Sequence, residues 1–166
     1  MRAVLTLLVL ALLTVPAHGA SLAATKARTI RVGSTTVASK VMVDKAPRGV
    51  RNAGDIVWAK SSLRNARPQF GKPKGALVGS AVAIYTFESR DLGTLKATAS
   101  LPGGTIRSVD RVGYEGCCAT ESQVTGGTGV FAGARGTLWS ESLSDTLRSQ
   151  LLTEGRRLNI YRLQLP

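Results

Sequence analysis

The stretch Val124-Thr125-Gly126-Gly127-Thr128-Gly129-Val130-Phe131-Ala132-Gly133-Ala134-Arg135-Gly136-Thr137-Leu138 decides the fold. Five of these fifteen residues are glycine, and apolar side chains recur between them. Because glycine tolerates positive φ and lets two backbones approach closely, this composition indicates a tight turn of well-defined conformation. We expect Gly126, Gly127, Gly129 and Gly133 to form a structural turn between two strands.

A nucleotide-binding loop is the alternative interpretation of the same block, since Gly127, Gly129 and Gly133 have a spacing that also opens dinucleotide-binding folds. Such a loop lies between a strand and a helix and is followed by further βαβ units. Only 30 residues follow Gly136, and the segment directly after it is a poor helix start. No Gly-Lys-Ser/Thr phosphate-binding motif is present either. The turn between two strands is therefore the favoured interpretation.

Alternation of apolar and polar residues predicts strands along most of the chain. Between Thr94 and Leu101 every second residue is apolar, which is the pattern of a half-buried strand. The segment Leu77–Phe87 is apolar on both faces, which suits a barrel with a lined interior or an outer wall packed against another subunit. Further strands are predicted at Ile56–Leu63, at Arg157–Leu165, and at Thr29–Asp44 as one bent strand or two short ones.

The predicted fold class is all-β. Strands separated by glycine-rich turns favour an antiparallel β-barrel of about eight strands, formed by residues 29–166 as a single domain. The segment Asp145–Glu154 has leucines at helical spacing and is followed by Gly155, so one short C-terminal helix is also predicted.

Four segments together resemble the allene oxide cyclase and dirigent β-barrel superfamily. The glycine block Thr125–Gly136 is similar to the signature of that superfamily. Gly54–Leu63, Gly75–Ile84 and Leu101–Ile106 resemble three of its other strands in order, so the resemblance covers about residues 40–166. It implies a barrel that binds a small apolar molecule without a cofactor. It also implies an isomerase- or cyclase-like reaction, or a stereoselective coupling, achieved mainly by orienting a reactive substrate.

The resemblance also suggests candidate pocket residues. Ser61 occupies the strand position where the family often has Asn or Asp, Glu121 matches the glutamate ahead of the glycine block, and Asp44 falls near an asparagine of the cyclases. Tyr85 is a further candidate from its position on an apolar strand. A buried Glu121 would act as an acid with a raised pKa. The alternative is that Asp44 and Glu121 end strands in solvent and that Tyr85 is a packed wall residue.

Two tryptophans provide an expected spectroscopic signal. Trp58 and Trp139 lie on predicted strands. Many alanines and glycines occupy strand positions and would leave an apolar cavity open at one end of the barrel. We therefore expect both tryptophans to report on the binding of an apolar ligand.

The N-terminus is typical of a secretory signal peptide. Arg2 is followed by an apolar run to Val15, and Ala17-His18-Gly19 offers small residues where a signal peptidase cleaves. We expect residues 1–20 to be a signal peptide cleaved near Gly19, residues 21–28 to be disordered, and the mature protein to be extracellular. A retained membrane anchor is the alternative. Cleavage would remove His18, the only histidine, which excludes a Ser-His-Asp centre and histidine-ligated metals. No metal site and no cofactor are predicted.

The charge of the chain favours anionic partners. Without Arg2 the chain has 21 Lys and Arg against 10 Asp and Glu, a net charge of +11, and residues 26–74 carry +10 of it. The second functional hypothesis is therefore a non-enzymatic surface module that binds anionic cell-surface polymers through the basic region 45–75. A solvated basic face is the simpler interpretation. Nucleic acid is not an expected partner of an exported chain, and a homo-oligomer (dimer or trimer) is compatible with the apolar outer face of Leu77–Phe87.

Cys117 and Cys118 are the only cysteines and are adjacent in the sequence. Neighbouring cysteines cannot close a long loop, and free thiols are unusual in an oxidising compartment. A vicinal disulfide is the favoured interpretation, with pairing between chains or free thiols as alternatives.

Overall fold

The computed structural model describes residues 25–113, 119–143 and 155–166, and these form a closed antiparallel barrel of eight strands. The strands are β1 (Lys26–Val43), β2 (Ile56–Asn65), β3 (Leu77–Phe87), β4 (Leu92–Leu101), β5 (Gly104–Gly113), β6 (Ala119–Gly127), β7 (Arg135–Ser142) and β8 (Arg156–Leu165). Each strand pairs with the next in sequence, and β8 closes the barrel against β1. The predicted all-β barrel is confirmed, and the βαβ units of a dinucleotide-binding fold do not occur in the described part of the chain.

Strand β1 is a single long strand rather than two short ones. Its pairing with β2 shifts between Thr36 and Ala38 and again between Val41 and Val43, so bulges bend it where the sequence pattern breaks. It also begins at Lys26, inside the segment 21–28 that we predicted to be disordered. Residues 26–28 are ordered because they pair with the end of β8, from Leu165 to Leu163, which completes the barrel. Exposed strand ends of this kind contain few apolar residues, so the alternation pattern does not reveal them.

The only helical element in the described ranges is the 3-10 turn Gly129–Phe131 between β6 and β7. The predicted C-terminal helix Asp145–Glu154 lies outside the described residues. Within the described ranges, no helix has the length and apolar character needed to cross a membrane.

The glycine block ends β6, makes this 3-10 turn and leads into β7. Gly129 has φ +59°, a conformation that favours glycine. A Cβ on Gly127 would overlap the carbonyl oxygens of Thr105 and Phe131. These two glycines let the loop fold back over the end of the barrel, where the side chain of Phe131 is fully buried.

The loop closes one end of the barrel, which we call the closed end. The strands contribute an apolar cluster there that includes the fully buried Ile30, Leu63 and Val124 around Phe131. The guanidinium of Arg28 lies 5.2 Å from the centroid of the Phe131 ring and 5.5 Å from that of Phe70. The Arg28 cation therefore makes cation–π contacts with both rings at this end of the barrel. The β1–β2, β3–β4, β5–β6 and β7–β8 connections all lie at the opposite, open end.

The basic region 45–75 does not form one surface. Strand β2 runs the length of the barrel between its two loops, so residues 44–55 lie at the open end and residues 66–76 at the closed end. A ten-residue strand is about 30 Å long. A partner of the whole region would therefore have to contact both ends of the barrel.

Candidate binding site

The inward-facing positions in the open half of the barrel are polar. Five polar side chains are buried there among the strand residues that face the lumen: Ser34, Ser108, Ser122, Ser140 and Asn159. A smaller apolar cluster of Tyr85, Phe87 and Val112, on strands β3 and β5, completes the lining. Buried polar groups in a lumen need partners, because an unpaired one is costly.

Three of these groups form a directional series of hydrogen bonds with Arg157 across β8, β7 and β1. The Arg157 guanidinium donates from Nε to Ser140 Oγ at 2.8 Å and from Nη2 to the Ser140 carbonyl at 3.1 Å. The Ser140 hydroxyl donates to Asn159 Oδ1 at 2.7 Å, and Asn159 Nδ2 donates to Ser34 Oγ at 2.9 Å. This series of hydrogen bonds fixes the orientation of the Arg157 guanidinium.

Arg157 is a partly buried cation on an inward-facing position of β8. Burial lowers the pKa of Arg157, and the electrostatic interaction with Tyr85 partly offsets this effect. Tyr85 is on β3, and strands β1 and β2 separate β3 from β8 around the barrel. The two side chains therefore line different walls of the same lumen. Among the described residues no carboxylate forms an ion pair with Arg157.

A carboxylic acid faces the lumen from β5. Burial raises the pKa of Asp110, against the lowering effect of hydrogen bonds from the Arg111 backbone N–H and from the Ser122 side chain. The Ser122 hydroxyl donates to Asp110 Oδ2 at 3.3 Å. The site thus combines a cation, a phenol and a carboxyl group with an increased tendency to hold a proton.

Between these polar groups the wall is made of small residues. Ala59, Ala83 and Ala97 lie directly opposite one another on β2, β3 and β4. Ala83 and Ala97 are only half-buried although they face inward, and so is Asp110. Because these side chains face the lumen, their exposure indicates that solvent reaches the lumen at this level.

The β1–β2 loop forms an ordered rim at the mouth. The buried Asp55 carboxylate accepts hydrogen bonds from the backbone N–H groups of Lys45, at 2.7 Å, and Asn52, at 2.8 Å. The Asn52 side chain in turn donates to the carbonyls of Lys45, Pro47 and Val50. The Asp55 carboxylate, next to Gly54, therefore holds the β1–β2 loop in place at the mouth of the lumen.

A cleft of about 370 Å³ lies between this loop and the β3–β4 turn, lined by Gly49, Val50, Arg51, Arg90 and Asp91. The Arg51 guanidinium is 5.8 Å from the ring centroid of Phe87, which belongs to the lumen lining. The entrance to the lumen is thus basic on this side.

The structure brings together only two of the four predicted pocket residues. Tyr85 is buried in the lumen, and Ser61 is half-buried on an inward-facing position of β2. Asp44 is exposed beyond the end of β1, and Glu121 is exposed on the outer face of β6, where the adjacent Ser122 faces inward. Neither of these two carboxylates reaches the lumen.

The sequence interpretation missed Arg157, Asp110, Ser140 and Asn159. A signal for the first and last was present, because Arg157 and Asn159 share the parity of the buried Tyr161, Leu163 and Leu165 on β8. Counting back by two from the apolar end of the strand places both inside.

The two tryptophans face outward. Trp58 and Trp139 alternate with the inward-facing Ala59 and Leu138, and the Lys40 ammonium lies 5.7 Å from the Trp58 ring centroid on the outer wall. They are therefore not in contact with the lumen, and their fluorescence is a poor measure of its occupancy. Cys117 and Cys118 lie outside the described residues.

The arrangement can hold an electron-rich oxygen. A guanidinium and a phenol that line the same partly desolvated lumen can stabilise negative charge on a carbonyl, enol or phenol oxygen. A carboxyl group on another wall can give or take a proton. In the described ranges no group of three His, Cys, Asp or Glu side chains is placed to hold a metal ion.

Fold and lumen together define the class: a small closed β-barrel with one packed end and a polar, solvent-reached lumen at the other. Solved structures confirm the resemblance at the level of the fold. Neither a protein-family model nor a curated protein sequence matches the chain.

Three of the similar structures illustrate the range of proteins with this barrel. A pterocarpan synthase dirigent protein has a TM-score of 0.66 at 18% identity, with 85% of this chain and 89% of that one covered. A pyocyanin demethylase has a TM-score of 0.61 at 18% identity, covering 82% and 99%. An exo-specific intermolecular Diels-Alderase has a TM-score of 0.61 at 12% identity, covering 86% and 99%.

Proposed function

We propose that the protein binds a small, largely apolar organic molecule in the open half of the barrel and steers its cyclisation or coupling. The observation that carries the proposal is the partly buried Arg157 guanidinium, held by two hydrogen bonds to Ser140 in a lumen that Tyr85 and an alanine wall also line. Dirigent and Diels-Alderase structures of the same fold support it.

The proposed chemistry is orientation with electrostatic assistance. The alanine wall admits a flat apolar body, and Arg157 with Tyr85 binds its conjugated oxygen, so that one face of the reactive system is presented for ring closure. Charge that develops on this oxygen during bond formation is stabilised by the guanidinium. Asp110 holds or accepts the proton that the reaction moves. No proton transfer through histidine is needed.

A direct test uses 2′-hydroxychalcone, in which the hydroxyl is on the ring attached to the carbonyl. This compound closes by itself to a flavanone when its phenol oxygen adds to the conjugated double bond. We expect saturable binding, detected by the absorbance of the chalcone, and an enantiomeric excess in the flavanone that the uncatalysed reaction lacks. Arg157→Gln should weaken binding about 10- to 100-fold, the equivalent of one charge-assisted hydrogen bond. A racemic product, and no saturable binding by any conjugated enone of a small panel, would contradict the proposal.

Arg156 provides a matched control. It is adjacent to Arg157 on β8 but exposed on the outer face. Arg156→Gln changes the net charge by the same amount and should leave binding and stereoselectivity unchanged. Equal losses in both variants would show that overall charge, rather than the lumen guanidinium, governs binding.

We also propose that the chain acts outside the cell, because of its N-terminal apolar run and the small residues at Ala17 and Gly19. Mass spectrometry of the culture medium should find a mature N-terminus near Ala20. A full-length form that begins at Met1 and stays with the membrane would contradict export.

A further inference from the structure

Among the described residues the acidic side chains are confined to one end of the barrel, whereas basic side chains lie at both ends. All seven acidic residues in the described ranges lie in the open half or in the open-end loops, from Asp44 and Asp55 to Glu141. The single ion pair of these ranges, Arg111 with Glu88 at 2.9 Å, is also at the open end. The described part of the closed half therefore carries basic side chains and no acidic side chain.

The loop 66–76 presents three of these cations on a rigid frame. Asn65 Nδ2 donates to the carbonyls of Gln69, Lys72 and Pro73, and the Gln69 side chain bonds the backbone of Arg31 on β1. Arg67, Lys72 and Lys74 of this loop are exposed.

Several guanidinium groups around the closed end are fixed by backbone carbonyls rather than by acids. Arg64 Nη1 donates to Gly75 O at 3.0 Å, and Arg67 Nη2 donates to Thr29 O at 2.9 Å. Arg135 Nη1 donates to Thr125 O at 2.7 Å and to Ala134 O at 3.1 Å. Their positions are held while their charge is left unneutralised.

Two guanidinium groups converge at Gly126 on β6. A Cβ at that glycine would lie 3.2 Å from Arg107 Nη2 and 3.6 Å from Arg135 Nη1, so the two guanidinium groups pack over the buried glycine and occupy the place of a side chain. Like charges this close repel each other, and an anion that contacts both exposed guanidinium groups from the solvent side would relieve the repulsion.

We infer that this closed-end basic surface, formed by Arg107, Arg135, Arg162, Arg64 and the loop cations Arg67 and Lys72, binds a linear acidic polysaccharide, with the Arg107–Arg135 pair as its anchor. The cations follow the curved outer wall from β5 over β7, β8 and β2 to the 66–76 loop, which suits a flexible linear polyanion. Charge complementarity along such a path gives affinity and speeds association.

Two other polyanions fit the surface less well. A flat bilayer would reach only the end of the barrel, where Val130 and Leu77 are the exposed large aliphatic side chains among the described residues. Single-stranded nucleic acid is usually held by exposed aromatic rings. In the described closed half, Phe131 and Tyr161 are buried and Phe70 lies under Arg28.

The test measures binding of the purified protein to alginate, a linear polyuronate, at about 0.05 M and about 0.5 M NaCl, since salt screens such contacts. We expect binding at low salt that high salt abolishes, and a loss of about ten-fold in affinity in Arg107→Ser/Arg135→Ser. The control Lys60→Thr/Lys96→Thr removes two exposed cations from the middle of the outer wall and should retain wild-type affinity.

Three outcomes would overturn the inference: equal losses in both double variants, tighter binding to vesicles of anionic lipid, or tighter binding to short nucleic acid. If Arg135→Ser prevents folding, Arg107→Ser/Arg162→Ser leaves the Arg135 hydrogen bonds intact and should still weaken alginate binding. Chalcone binding in the lumen should be unchanged in all these variants, so a failure here is distinguishable from a failure of the proposed function.

Discussion

The two halves of the lumen are built from the same strands but are filled differently. In the closed half, apolar side chains from all eight strands and from the 3-10 turn pack around Phe131, and several of them have no solvent exposure. In the open half, the same strands contribute serines, Asn159, Arg157 and alanines, and solvent reaches several inward-facing residues. The difference indicates that stability is concentrated at the closed end, whereas the open end is where we propose that the small molecule binds.

The strongest test of this division is Phe131→Ala at the closed end. The ring is fully buried in a packed cluster, so its removal leaves a cavity that water does not fill. We expect a loss of about 3–5 kcal/mol in the free energy of unfolding, measured by urea denaturation. Val130→Ala, at the exposed neighbouring position, is the control and should change stability little. A small effect of Phe131→Ala would mean that the closed end is not the stabilising half.

Gly127→Val tests the turn that places Phe131. A side chain there overlaps two backbone carbonyls, which belong to Thr105 and Phe131 and cannot move independently of the strands. We expect a loss of about 1–3 kcal/mol in unfolding free energy, again by urea denaturation. Gly33→Ala is the matched control, because a Cβ at Gly33 has no heavy atom nearer than 4.0 Å. Equal melting temperatures for Gly127→Val and the wild type would contradict this role of the turn.

The sequence predicts the architecture better than the site, for a physical reason. Leu77–Phe87 matches β3 at both ends, since its apolar run lies between the glycine-containing loop 66–76 and the polar residues 88–91. Site residues depend instead on parity, and a register error of one residue moves a side chain to the other face. Glu121 and Ser122 show this: the resemblance pointed to the first, while the second faces the lumen.

Arg157 and the β-bulges show why the other features of the site and fold could not be predicted from the sequence. A cation at the start of a strand is usually solvated, so Arg157 attracts attention only once the parity of β8 is known. Bulges such as the shift between Leu63 and Arg64 in the β2–β3 pairing are fixed by contacts between strands and carry no local sequence signal. The division of the basic region between the two ends likewise follows from the pairing of β2.

Ser140→Ala tests the open half by the same measurement, the free energy of unfolding. The change removes the acceptor of Arg157 Nε and the donor to Asn159 Oδ1. Because water enters this half of the lumen, it can replace the lost partners, and we expect a loss of only about 0.5–1.5 kcal/mol by urea denaturation. Ser39→Ala, at an exposed position on β1, serves as the control. A loss as large as that of Phe131→Ala would remove the distinction between the halves.

The smallest expected effect is a pH dependence from Asp110. Burial raises its pKa in the folded protein above the ordinary value of 3.8, so the unfolded chain loses this proton at lower pH than the folded protein does. The wild type should therefore lose stability relative to Asp110→Asn as the pH rises from about 3.8 through the raised pKa, and the difference should level off above it. At lower pH the side chains of Asp110 and of its Asn replacement are both neutral, so the free energy of unfolding should change with pH in the same way in the two proteins. Urea denaturation of both proteins from acid to neutral pH measures this difference, with Glu121→Gln on the exposed face of β6 as the control for a general change in charge. If the wild type instead gained stability over the variant in this range, a cation or additional hydrogen bonds in the lumen would be stabilising the Asp110 carboxylate, and the open half would hold it as an anion rather than as a proton donor.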